Sequence, residues 1–145
     1  MRRFAKFAAF GLVGLAPAVA AAAGTVYAHD LRFAAQANLF SFEANTPLVQ
    51  TQIGPVGGLN YSTFAMDFDS SNTRLYAIDH ILDGTTWTMP RLGRIDTSTG
   101  VFTPTVNVTG AGFNATSPVT GLSIDRTTGV FYASKATQLF SIDSG

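Results

Sequence analysis

The most constraining feature of this sequence is an internal repeat. Residues 65–77 (AMDFDSSNTRLYA) and 121–133 (GLSIDRTTGVFYA) align without a gap at an offset of 56 positions (121 − 65). Each copy reads as a strand, a turn led by aspartate and a second strand ending in Tyr-Ala. A third apolar-Tyr-Ala triplet stands at residues 26–28. A period of this length is the mark of a fold built from one repeated supersecondary unit.

A second unit occurs three times, at residues 39–43 (LFSFE), 92–96 (LGRID) and 139–143 (LFSID). Each copy has Leu in the first place, an apolar residue in the fourth and a carboxylate in the fifth. Further extended runs follow the first two copies, at residues 48–53 and 101–106. Three matches to one template indicate that the repeat is real and not a coincidence of composition.

Four strand types therefore recur along the chain. We call the first strand of the long repeat A, the Tyr-Ala strand B, the Leu-led strand C and the run after it D. The order is B, C, D, A, B, C, D, A, B, C, which predicts about ten short strands. Successive residues of a strand face opposite sides, so Phe64, Met66 and Phe68 are expected to share one side. The sequence predicts an all-β fold of antiparallel four-stranded units, with about two and a half units present.

The predicted turns have their own chemistry. Residues 96–100 and 125–129 each begin with aspartate and end with glycine. The aspartate accepts backbone N–H groups, and glycine adopts a positive φ without steric cost. In the turn at residues 69–73, Asn72 stands near the glycine place, and Asn tolerates the left-handed region best after glycine. These aspartates are therefore expected to shape turns.

Composition narrows the classes of function. The 145-residue chain carries nine Lys+Arg and nine Asp+Glu, so it offers no net positive charge for binding nucleic acid. Its hydrophobic content of 46% excludes intrinsic disorder. The absence of Cys excludes disulfides, thiolate metal sites and cysteine nucleophiles. No motif predicts a cofactor or a metal site.

The first 23 residues have the layout of a secretory signal peptide. Arg2, Arg3 and Lys6 precede an uncharged apolar stretch at residues 7–24, and residues 18–20 fit the A-x-A cleavage pattern. The alternative is a retained membrane anchor, although the stretch is mostly Ala and Gly and so only weakly hydrophobic. Cleavage would leave residues 24–145 with a net charge of about −3 (6 − 9). The predicted location is secreted or periplasmic.

The repeat resembles the blades of a known fold family. The sequence at 121–133, followed by QLFSID at 138–143, is similar to the blades of secreted bacterial β-propellers of the YVTN-type and WD40-like families. The resemblance covers about residues 25–145 and implies a β-propeller-like repeat region over residues 24–145. It implies little about function, because propellers carry many activities.

The number of strands departs from the family pattern. Closed propellers have about four to eight blades, whereas ten strands form about two and a half. We therefore expect the chain to be the N-terminal portion of a longer protein. Two alternatives stay open, namely several chains assembling into one ring and a small open β-sheet protein. In an open arrangement, unpaired edge strands would favour self-association.

The resemblance implies a ligand-binding face lined by the D–A and B–C loops. The B–C loop at residues 80–90, which leads to Arg91, is the richest in ionisable and aromatic residues. It contains His80, Asp83 and Trp87, the single Trp of the chain. An exposed Trp beside polar groups suits the binding of a sugar or a protein. The alternative is that Trp87 packs this loop onto its own domain.

Asp67 is a further candidate for a binding residue. Its counterpart in the repeat is Ser123, so the repeat alone does not account for an acid at this place. On the innermost strand of a blade, Asp67 would face a central channel and could hold a cation or a polar ligand. Asp79, His80 and Asp83 suggest part of a metal site, but zinc normally needs at least three protein ligands. The sequence predicts binding candidates and no catalytic residue.

Three functions fit these observations. The leading hypothesis is an exported, non-catalytic binding or scaffold module whose partner is a protein, a glycan or a small molecule. Neither nucleic acid nor a membrane, apart from the signal segment, is an expected partner. The rival is the N-terminal part of a secreted propeller enzyme, such as a lactonase or a dehydrogenase, with catalytic residues beyond residue 145. A third hypothesis is a truncated product without independent function.

Overall fold

The computed structural model describes residues 24–30, 36–58, 61–83, 86–110, 113 and 117–143. The predicted signal peptide at residues 1–23 lies outside the described residues. Within the described ranges no helix is long and apolar enough to cross a membrane.

The described residues form eleven β-strands. The strands are β1 (Thr25–His29), β2 (Ala37–Glu43), β3 (Thr51–Val56), β4 (Tyr61–Phe68), β5 (Leu75–Asp83), β6 (Thr86–Trp87), β7 (Arg91–Ile95), β8 (Phe102–Asn107), β9 (Gly121–Ile124), β10 (Phe131–Lys135) and β11 (Gln138–Ile142). Strand β6 is an addition to the ten strands that the repeat predicts, and the other ten follow the predicted order. The all-β prediction is confirmed.

The strands form three antiparallel sheets in the order β1-β2-β3, β4-β5-β7-β8 and β9-β10-β11, and β6 pairs with β5. In terms of strand type these sheets are B-C-D, A-B-C-D and A-B-C. The prediction of about two and a half four-stranded units is therefore confirmed. Each sheet consists of strands that follow one another along the chain, as expected of stacked repeats.

The two D strands begin later than the sequence predicts, at Thr51 and Phe102. In the first case a turn occupies the start of the predicted run, because the Val49 N–H donates to the Thr46 carbonyl at 3.0 Å. Both D strands lie at a sheet edge. Each contains a proline, which is tolerated at an edge because its nitrogen has no hydrogen to donate to a ladder.

The core lies between the sheets, and both faces of the central sheet are buried. Ala77 on β5 packs into a cluster with residues of the first sheet, such as Leu39 and Val56. The next residue, Ile78, packs on the other face with Ile124 and other residues of the third sheet. Because successive side chains of a strand point to opposite faces, one strand supplies both layers of the core. The central sheet therefore holds the outer two together.

The turns follow the predicted chemistry. The left-handed positions are Asn72 with φ 56°, Gly100 with φ 80° and Gly129 with φ 74°. In all three turns the side chain of the leading aspartate accepts a backbone N–H: Asp69 from Thr73, Asp96 from Ser98 and Asp125 from Thr127. Hydrogen bonds to the hydroxyl and amide groups of the turn hold the pKa of Asp96 and Asp125 below the ordinary value. The turn-forming role predicted for these aspartates agrees with this geometry.

Strand β1 has a partner on one side only among the described residues. It pairs with β2, and residues of β1, β4 and β5 line a cavity of about 280 Å³. The cavity is lined by Thr25, Val26 and Tyr27 on one side and by Met66, Asp67, Phe68 and Leu75 on the other. Strand β1 is the B strand of the first sheet. In the other two sheets the B strand pairs with an A strand as well as with a C strand. Among the described strands, β2 alone pairs with β1, which makes β1 an edge strand of the first sheet.

We expect this edge to cause concentration-dependent self-association. Replacing Val26, which is 38% exposed, with lysine is expected to weaken the association at least tenfold, because a charge on an edge strand opposes pairing. Sedimentation velocity over a range of protein concentrations measures the effect. The matched control is Val130→Lys, at a turn residue of similar exposure, 36%. Equal sedimentation of both variants would contradict a role for the β1 edge.

Candidate functional site

Four of the five candidate residues, His80, Asp83, Trp87 and Arg91, lie toward one end of the central sheet, where β4 and β7 begin and β5 ends. The stretch from His80 to Pro90, predicted as a loop, is mainly a β-hairpin. Leu82 pairs with Trp87 and Asp83 pairs with Thr86, which leaves two residues, 84–85, for the connection. A two-residue connection between antiparallel strands is typical of a tight hairpin. The hairpin gives His80 and Trp87 fixed positions.

A buried ion pair lies at the base of this hairpin. Arg91 donates to Asp79 through Nε at 2.9 Å and through Nη2 at 2.5 Å, and the two residues are directly opposite each other on β7 and β5. The Asp79 side chain is fully buried, and the Arg91 side chain is 22% exposed. Burial raises the pKa of Asp79, and the Arg91 hydrogen bonds oppose that rise. The bidentate contact is the arrangement that keeps a buried carboxylate ionised.

The Arg91 guanidinium also stacks on an aromatic ring. Its central carbon lies 4.5 Å from the centroid of the Tyr61 ring. The hydrogen bonds of Asp79 raise the pKa of Arg91 above its ordinary value, so the group is cationic at any physiological pH. A cation over an aromatic face gains electrostatic energy from the ring. Arg91 is therefore held in one orientation by contacts on two sides.

The imidazole of His80 is fully buried and both of its nitrogens are used. Nδ1 is 3.0 Å from the Thr88 carbonyl oxygen, and Nε2 accepts the backbone N–H of Val119 at 3.0 Å. Since the carbonyl can only accept, Nδ1 carries the proton and the ring is neutral. Burial lowers the pKa of His80, which agrees with this assignment. His80 is thus a bridge between two backbone segments.

Trp87 is half-buried and packs against its own sheet. Its ring makes edge-on contacts with Phe64, at 5.1 Å between centroids, and with His80, at 6.0 Å. This agrees with the alternative that Trp87 pins the hairpin to the domain, although the residue is only half-buried. Asp83, in contrast, is exposed near the end of the hairpin, away from the Asp79–Arg91 pair.

Phe64 departs from the predicted alternation. The register of β4 against β5 shifts between Thr63 and Ala65, which places Phe64 at a β-bulge. Met66 and Phe68 pack with the core of the first two sheets, whereas Phe64 contacts Trp87 and His80. A β-bulge breaks the period of two and redirects a side chain. The bulge therefore explains why Phe64 belongs to the site.

Asp67 lies at the other end of β4, about 16 Å along the strand from the residue opposite His80, at about 3.3 Å per residue. Its Oδ1 accepts the N–H of Phe68 and its Oδ2 accepts the N–H of Ile124, both at 2.8 Å. Ile124 is the repeat counterpart of Phe68 (124 − 68 = 56). One carboxylate thus binds equivalent N–H groups in two adjacent sheets, and Arg126 lies 3.8 Å away. Asp67 also lines the cavity beside β1.

Sequence reasoning missed Tyr61, Thr63 and Phe64 as parts of this region, and it named Asp79 only as a metal-site candidate and not as the partner of Arg91. The sequence around Asp79 indicated an ion pair, because a buried carboxylate inside an apolar strand requires a partner. Thr63 is opposite Asp79, and its buried hydroxyl oxygen has no hydrogen-bond partner in the described structure. Within the described part of the chain, no group of three or more His, Cys, Asp or Glu is placed to hold a metal ion.

Comparisons were made with protein-family models, curated proteins and solved structures. Nothing matches this chain. The structure supports an all-β chain of antiparallel sheets compatible with propeller blades.

Proposed function

We propose that this chain is an exported, non-catalytic binding module of the β-propeller type. The signal-like first segment supports export, and the repeated A-B-C-D strand order supports the repeat type. The site residues lie at the end of the central sheet where the B–C and D–A connections meet. We place the ligand across the end of the sheet, where Tyr61 and Arg91 lie on the face of Asp79 and where Phe64 and Trp87 lie on the face of His80. We call these four residues together the aromatic surface.

The observation that carries the proposal is that the aromatic surface is both rigid and partly exposed. Its four residues are half-buried, so each keeps part of its side chain accessible. Asp79 and Tyr61 fix Arg91, and Phe64 fixes Trp87. Groups fixed before binding lose little conformational entropy when a ligand arrives. Aromatic residues and arginine are the side chains most enriched at binding hot spots.

The proposed ligand class is a glycan. A sugar ring presents apolar C–H faces and polar hydroxyl edges, and the aromatic surface offers matching groups. Asp79 engages two of the five N–H donors of Arg91, which leaves donors for a hydroxyl or a carboxylate. The Trp side chain has an apolar ring and one polar N–H group. It therefore suits a ligand that has both apolar faces and hydrated hydroxyl groups.

We expect Trp87→Ala to weaken glycan binding about tenfold or more, because it removes the largest ring of the aromatic surface. The measurement is isothermal titration calorimetry with neutral and uronic-acid oligosaccharides. The matched control is Met89→Ala, two residues away and 38% exposed, which should bind as the parent chain does. Unchanged affinity in Trp87→Ala, or binding of a peptide panel in place of the sugars, would refute the glycan proposal.

The enzyme hypothesis finds less support in this region. A general base needs a nitrogen or oxygen that is available to a substrate. Both nitrogens of His80 are bonded to backbone groups, and Asp79 is paired with Arg91. The expectation of catalytic residues beyond residue 145 stays a prediction, as does the hypothesis of a truncated product.

A further inference from the structure

We propose that His80 is a pH-sensitive latch that holds the β5–β6 hairpin to the segment leading into the third sheet, and that acidification opens it. The latch consists of His80, the carbonyl of Thr88 and the N–H of Val119. It is a property of the chain itself and requires no ligand. Its test is therefore independent of the proposed glycan binding.

The latch joins two segments that are far apart in sequence. Thr88 follows β6, eight residues after His80, whereas Val119 lies 39 residues after it, just before β9. Val119 and His80 are each 1% exposed, so water does not replace either contact. The ring of His80 also meets Phe64 edge-on at 5.8 Å. A single imidazole thus joins the central sheet, its hairpin and the entry to the third sheet.

The surroundings of His80 disfavour a positive charge. Strands β4 and β6 present the rings of Phe64 and Trp87, which are neutral. Lys135 on β10 is the charged group that acts on His80 within the described structure, and it lowers the pKa of the imidazole further. Asp79 precedes His80 on β5 and therefore points to the other face, where Arg91 neutralises it.

Protonation changes the hydrogen bonding in a definite way. A proton on Nε2 would face the Val119 N–H, so two donors would meet where one donor and one acceptor met before. The contact to Val119 is lost, and a buried cation is created beside Lys135. Opening the latch separates the two donors and exposes the imidazolium to water. In water the imidazole is protonated at its ordinary pKa, about 6.5.

The direction of the pH effect follows from linkage. His80 has a lower pKa in the closed state than in the open state. The closed state is therefore most stable relative to the open state above pH 6.5. Its stability relative to the open state decreases as the pH falls below that value. The ratio of closed to open states falls by up to tenfold per pH unit, until the pKa of the closed state is reached.

The first test uses the fluorescence of Trp87, the single Trp of the chain, whose ring lies 6.0 Å from that of His80. For the full chain titrated from pH 8 to pH 4, we expect a change in emission with a midpoint below pH 6.5, while far-UV circular dichroism retains its β-sheet signal. His29→Gln is the matched control and keeps the transition. His80→Gln retains an acceptor for Val119 and cannot titrate, so it loses the transition.

A second test measures hydrogen exchange at the Val119 amide of the parent chain, and it remains decisive where His80→Gln fails to fold. After correction for the intrinsic exchange rate, protection of Val119 should fall several-fold between pH 7 and pH 5, while the amide of Ala77 in the core keeps its protection. A Trp87 transition that persists in His80→Gln would overturn the proposal. Constant protection of Val119 across this range would also overturn it.

Discussion

Replacing Arg91 with methionine is expected to lower the free energy of unfolding by about 3 kcal/mol at pH 7. The variant leaves the fully buried carboxylate of Asp79 without its bidentate partner. An unpaired buried charge is among the most destabilising changes that a single substitution can produce. Urea denaturation of the parent chain and the variant, followed by circular dichroism, measures the loss.

The pH dependence of this loss identifies its cause. Without Arg91, burial raises the pKa of Asp79 further above its ordinary value, so the folded variant binds a proton that the unfolded chain at neutral pH does not. Its stability is then greatest near pH 4 and falls as the pH rises toward 7. The loss relative to the parent chain should therefore shrink at low pH. The double variant Asp79→Asn/Arg91→Met should recover most of the stability at pH 7, and an equal loss at pH 4.5 and pH 7 would contradict the argument.

Replacing Gly54 with alanine is expected to destabilise the chain by about 3 kcal/mol, the upper end of the usual effect of overpacking. A Cβ at Gly54 would lie 2.1 Å from the carbonyl oxygen of Thr99. Thr99 belongs to the turn between β7 and β8, so the clash involves the backbones of two sheets and no side chain can rotate away. The first sheet would have to separate from the second.

Gly24→Ala is the matched control for this prediction. A Cβ at Gly24 meets no atom within 4 Å, and the substitution should change stability by less than about 0.5 kcal/mol. Thermal denaturation of both variants gives the comparison. Equal midpoints for the two variants would show that the contact between Gly54 and Thr99 does not hold the sheets together.

Much of the fold is predictable from the repeat, because the repeat carries both strand order and pairing. The order of the ten predicted strands and the turn positions of Gly100 and Gly129 follow from aligned copies. Details outside the repeat were not predictable. Within the described parts of the other copies strand β6 has no counterpart, and the bulge at Phe64 depends on the register of β4 against β5.

The candidate site was predictable in part. The unusual composition of residues 80–90 indicated His80 and Trp87, but not the partners that determine their roles. Asp79 and Arg91 are 12 residues apart, and only the register of β5 against β7 brings them opposite each other. Likewise, the difference between Asp67 and Ser123 showed that Asp67 needed an explanation. The sequence did not show that the carboxylate of Asp67 binds the backbone N–H of Ile124 in the neighbouring sheet, because this contact depends on how the two sheets pack.

The way the strands are grouped has a consequence for biosynthesis. Every strand of the first sheet has been made once the ribosome has passed Val56, and every strand of the second once it has passed Asn107. Chains generally fold from the N-terminus during synthesis. The interface around Gly54 therefore needs no part of the third sheet and can form before that sheet is available. The contacts of Asp67 with Ile124 and of His80 with Val119 form only after that interface, so the order of assembly follows the order of the sheets along the chain.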